Sequence, residues 1–182
     1  MIVVADGLGG HPGGEVAASI VIETIGAEPL PWSQGKLHNA LITASEKIMV
    51  HGAAHPDIDG MGSTATLGLI EKTRVCWAHV GDGRLYHLQN DQLRCVTRDQ
   101  TLSRQLYDLG KISWEEIGAH KLNHFLEQCL GEDDIVPEFG SFQWQPGDIL
   151  LLSTDGLHDM VSDATIRNIL TDNSSLAKKA DR

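Results

Sequence analysis

Two short apolar runs, far apart in the chain, each stop at an Asp-Gly pair. Residues 2–5 lead into Asp6-Gly7, and residues 149–153 lead through Thr154 into Asp155-Gly156. Unbroken apolar runs of this length read as strands buried on both faces. A chain that ends two such strands in a carboxylate is constrained to carry both acids to a sheet rim. An all-oxygen site of that kind suits hard divalent cations such as Mg²⁺ or Mn²⁺. Either pair alone is ordinary turn chemistry. The recurrence, with four more glycines and Pro12 between residues 9 and 14, marks Asp6 and Asp155 as the leading candidates for function. Such a glycine-rich loop keeps the backbone open to close approach by a ligand, at an entropic cost that an ordinary connection avoids.

The rest of the pattern is segregated. Helical spacing predicts a helix over 14–26 and a second one with Leu37, Leu41, Ala44 and Ile48 on one face, closing by Gly52. Residues 53–62 read as a loop. From Ser63 the period shortens, and 63–71, 74–80, 84–88 and 92–97 read as a meander of antiparallel strands with turn residues between them. A helix is expected over 100–109. Ser113 and Glu116 make a capping box for a helix over 114–119, which 120–129 continues after a break. Strands at 136–144 and 149–153 follow, then a helix from Ser162 and the opening of another at 176–182. Runs of helices and runs of strands, with no alternating βαβ units, imply an α+β fold in which two antiparallel sheets are flanked by antiparallel helices.

Charge limits the partners. The net charge is −11 and Lys and Arg form no runs, which argues against nucleic acid and anionic membranes. An anionic substrate therefore needs metal ions or a few local cations. Cys76, Cys95 and Cys129 are an odd number with no Cys-x-x-Cys pair, so neither a disulfide framework nor a zinc site is expected. A reducing, cytoplasmic setting and a monomer are the expectation. The chain enters a strand one residue after Met1, and is read here as lacking the start of a larger domain.

Other candidates rank lower. Asp59, in a glycine-bearing loop, is the third candidate ligand. Asp82, between Gly81 and Gly83, is read as a turn residue rather than a ligand. His11, in the glycine loop, is either a substrate contact or a solvated loop residue. His51 and His55 have metal-ligand spacing but straddle Gly52, and His79 alternates within a strand as a core or sheet-surface residue.

The segments VVADGLGGHPGGEVA, DGMGSTATLGLI, WAHVGDGRLYHL, the stretch 97–131 ending in CLG, and ILLLSTDGLHDMVSD together resemble the metal-dependent, type 2C serine/threonine protein phosphatases, in their bacterial branch. The resemblance spans essentially the whole chain. It implies a four-layer α-β-β-α sandwich in one domain, with a binuclear Mg²⁺ or Mn²⁺ centre at one edge. It implies that Asp6 bridges both ions, that the Gly7 carbonyl holds one and that Asp155 binds the other. Asp59, with Asp155, matches a third, weaker ion, and 97–131 matches a flap beside the site. The activity implied is hydrolysis of phosphoserine and phosphothreonine in proteins by a metal-activated water. Three features depart from the pattern: a phosphate-gripping arginine and acidic pair before the first strand are absent, a late Gly-x-x-Asp-Asn is absent, and Leu8 stands where eukaryotic members have a histidine. Those departures keep two rivals in view, a catalytically impaired partner-binding module and a hydrolase of small phosphate esters.

Overall fold

The computed structural model describes residues 1–10, 12–29 and 31–181. Strand β1 (Ile2–Gly7) is followed by α1 (Gly14–Ala27) and α2 (Gln34–Ala54). A meander comes next: β2 (Ser63–Ile70), β3 (Arg74–Val80), β4 (Arg84–Gln89) and β5 (Gln92–Cys95). Then come α3 (Leu102–Asp108), β6 (Glu138–Gln143), β7 (Ile149–Ser153), α4 (Asp155–His158), α5 (Asp163–Thr171) and α6 (Leu176–Ala180). One sheet has the order β1-β2-β3-β6 and the other β5-β4-β7, with every pair antiparallel.

The period-2 pattern of the strands decides what each sheet face meets. In the first sheet Ala65, Leu67, Cys76 and Ala78 point at Val21, Ile25, Leu41 and Ile48 of α1 and α2, giving the larger core. In the second sheet Tyr86 and Leu88 of β4 pack with Ile166 and Leu170 of α5. The layers therefore run helices, sheet, sheet, helix, the α+β sandwich of the sequence reading. Polar groups lie between the layers too. Thr66 Oγ1 and His79 Nδ1 are hydrogen-bonded at 2.9 Å, and His87 Nε2 meets Asp148 Oδ2 at 2.8 Å with both side chains buried.

Three local readings need correction. Helix α2 runs past Gly52 to Ala54; Gly52 is buried within the last turns of the helix and does not terminate it. The capping box at Ser113 and Glu116 is present, but it opens only a single 3-10 turn, Trp114–Glu116. Residues 120–129 form turns and isolated bridges in place of a helix: Thr101 pairs with Leu126 and Ser63 with Leu130. Backbone pairing with distant residues has overridden local helical spacing there.

Candidate functional site

β1 and β7 are edge strands of different sheets, yet they pack against each other, because the two sheets face one another. Asp6 sits near the end of β1. Asp155 opens α4 directly after β7, with Thr154 at the N-cap. Gly7 brings β1 into backbone contact with the first turn of α1: a Cβ on Gly7 would stand 2.0 Å from the Gly14 carbonyl oxygen. The glycines after Asp6 thus serve in part to let helix and strand meet. Leu8 N–H donates to the Gly62 carbonyl at 2.9 Å and fixes the loop's start.

Asp6, Gly7 and Asp155 line one cavity of about 460 Å³. Burial foremost, and then the adjacent Asp155 charge, raises the Asp6 carboxyl above its ordinary range, while a bond from Thr154 opposes that rise. Asp82 lines the same cavity, from the turn between β3 and β4. Its carboxyl is pushed up to about 7, by burial first and then by Asp155, Asp99 and Asp159. No Lys or Arg lines the cavity among the described residues. The nearby Arg84 is already committed, with Nη2 2.6 Å and Nε 2.9 Å from the Asp99 carboxylate. Carboxylates crowded together without a cation are costly unless they are protonated or bind one. The donor set is all oxygen and so fits Mg²⁺ or Mn²⁺. Beside it, His124, Asp155 and Asp159 place one donor atom each within 4.8 Å of one another, with His124 Nδ1 3.4 Å from Asp159 Oδ2.

The sequence candidates separate cleanly by position. Asp6, Gly7 and Asp155 come together. Asp59 does not join them: it is exposed, its Oδ1 accepts from Gly60 N–H at 3.1 Å, and it lies outside the cavity lining. The residue in its stead is Asp82, read from sequence as turn chemistry. A signal was there, since Asp82-Gly83 is one of four Asp-Gly pairs and also follows an apolar strand. His11 lies outside the described residues.

Known proteins resemble this chain over its whole length. A family profile described as protein phosphatase 2C matches residues 1–181. The chain is 34% identical over 197 residues to the serine/threonine phosphatase stp of Listeria innocua, spanning 100% of this chain and 75% of that protein. It is 30% identical over 191 residues to the protein phosphatase PhpP of Streptococcus pneumoniae, spanning 100% of this chain and 76% of the relative. The solved structure of the Mycobacterium tuberculosis serine/threonine phosphatase PstP/Ppp superimposes with a TM-score of 0.91 at 34% identity, covering 99% of this chain and 78% of that one. The catalytic domain of PstP in complex with 2 manganese ions superimposes with a TM-score of 0.87 at 34% identity, covering 99% and 77%.

Proposed function

The chain belongs to the protein phosphatase 2C family, and on that premise we propose that it hydrolyses phosphoserine and phosphothreonine in proteins at a divalent-metal centre built on Asp6, Gly7 and Asp155. The observation that carries this reading is the meeting of Asp6 and Asp155, from edge strands of different sheets, in a cavity whose described lining has no basic side chain to balance them. Asp82 joins the ligand set in the place that the resemblance implied for Asp59.

Each residue has a definable task. Asp6 and Asp155 present carboxylate oxygens from the two sheets, and the backbone carbonyl of Gly7 adds a neutral one. Asp82, on which the charges of Asp155 and Asp159 act, would help to hold a further ion there. Bound Mg²⁺ or Mn²⁺ supplies the charge that neutralises phosphoryl oxygens and lowers the pKa of a coordinated water. Left alone, the carboxylates repel a phosphate, so binding and turnover are strictly metal-dependent. Leu8, Leu126 and Cys129 give the cavity an apolar side that limits competing water.

Residues 97–131 act as a flap beside the cavity within a single domain, a reading supported by the presence of His124, Phe125, Leu126 and Cys129 in its lining. We take the protein to work as a cytoplasmic monomer that engages neither nucleic acid nor membrane. The net charge of −11 and the three free cysteines support that, and no described helix is long and apolar enough to cross a membrane. The test is phosphate release from a phosphothreonine peptide with Mn²⁺. Release that stops with chelator and in Asp155→Asn is the expected result; release that persists in both would refute the metal-centre reading.

A further inference from the structure

The catalytic cavity has two chemically different sides, and Phe125 belongs to the one that the phosphate chemistry does not use. It lines the cavity with Leu8, Leu126 and Cys129, yet its own side chain is 57% exposed. Single exposed apolar residues are ordinary on a surface. Phe125 differs because its backbone cannot readily move to bury it. Its carbonyl accepts from Leu102 N–H at 2.8 Å and its N–H donates to the Leu122 carbonyl at 3.2 Å. Two residues on, Glu127 N–H donates to the Gln100 carbonyl at 2.7 Å. Gln100 is in turn buried and stitched to the Asp82 turn: its N–H donates to the Gly81 carbonyl at 2.8 Å, and its Oε1 accepts from Gly81 N–H at 2.7 Å. The backbone that carries the ring is therefore tied to the Asp82 turn, and it presents the ring at the cavity lining that Asp82 shares, with its apolar surface open.

We propose that Phe125 is a specificity-determining residue that receives an apolar side chain adjacent in sequence to the phosphorylated residue of the substrate. The proposal rests on the phosphatase reading of this cavity. An extended peptide advances about 3.3 Å per residue, so a neighbour of the phosphorylated residue necessarily reaches the wall of a cavity this size. Of the chemistries such a neighbour can bring, an apolar one gains from the Phe125 surface, and a small polar one gains nothing there.

The test uses matched phosphothreonine peptides with Leu or Gly at the positions immediately before and after the phosphorylated residue, assayed with Mn²⁺. The Leu peptides are expected to have a kcat/KM about tenfold higher, carried mainly by KM, and the ratio falls to about twofold in Phe125→Ala and recovers in Phe125→Leu. Because the readout is a ratio on one protein preparation, a uniform loss of activity does not imitate it. Equal turnover of Leu and Gly peptides by the parent, or an undiminished ratio in Phe125→Ala, overturns the proposal and leaves the phosphatase reading standing. Absence of metal-dependent turnover of every peptide overturns that reading and this proposal with it.

Discussion

Asp6 and Asp155 line the same cavity, and burial followed by the charge of Asp155 raises the Asp6 carboxyl, although β1 and β7 belong to different sheets and are separated by most of the chain. A pair of acids in that relation is a destabilising contact until a proton or a cation divides them. The sandwich holds them there because each sits at the end of an edge strand whose register is set by its buried neighbours.

Stability should follow divalent metal through this pair. With free Mn²⁺ at about 100 times its dissociation constant, the folded state gains roughly 2.7 kcal/mol, which a thermal melt reads directly. Asp6→Asn is expected to lose most of that gain while melting no lower than the parent in chelator, since it also removes the like charge beside Asp155. A parent melt indifferent to Mn²⁺ would contradict the site.

Asp82 and Asp59 make a paired test. Asp82→Ala should raise the Mn²⁺ concentration needed for half-maximal phosphate release by about tenfold or more, as loss of a group near the ions does elsewhere. Asp59→Ala, in an exposed loop outside the cavity, should leave the Mn²⁺ titration unchanged. The reverse pattern would return the third-ligand role to Asp59.

Acid should destabilise the protein through His79. Its ring lies between the sheets, and burial lowers its pKa to about 4 from 6.5, despite the opposing influence of Asp99. Between those values the unfolded chain binds a proton that the folded protein does not, so the His79 contribution is flat above pH 6.5 and is lost as pH drops towards 4. The loss is on the order of 3 kcal/mol. Asp148, where burial raises the carboxyl but the bonds from His87, Gln145 and Gln89 together outweigh it and hold it low, loses its contribution only below the ordinary carboxylate range. Asp82 and Asp6, whose carboxyls are raised, shift stability the other way over this range, and His158, lowered by burial, adds to His79. Urea unfolding at pH 7, 5.5 and 4.5 is therefore compared between the parent and His79→Gln, and the parent should lose more stability on acidification by the His79 share.

Gly7→Ala should be among the most damaging single changes. The added methyl would lie 2.0 Å from the Gly14 carbonyl oxygen, a backbone atom that cannot swing aside. A loss of about 3 kcal/mol or more is expected, at the upper end of overpacking effects, read as a lower urea midpoint or failure to fold. Gly9→Ala, where a Cβ meets nothing within 4 Å, is the control and should melt like the parent.

Most strands could be placed from periodicity because their alternation is local and their turns carry their own chemistry. The bounds of β3 and β7 from the sequence match the structure residue for residue. The stretch 120–129 could not, since the bridge of Leu126 to Thr101, and that of Leu130 just beyond it to Ser63, depend on residues far away in the chain. The same division runs through the site. Four Asp-Gly pairs stand in the sequence, and local turn chemistry makes them equivalent. By itself the sequence determined that carboxylates would end apolar strands and that a cation would be needed to reconcile them with a phosphate. Those strands prove to be half-buried edges and not the fully buried strands expected. Only the tertiary structure decided which carboxylates meet. Facing sheets bring the end of β1, the β3–β4 turn and the start of α4 to one rim, while Asp59 is carried by the loop after α2 to a place where water, not another charge, solvates it.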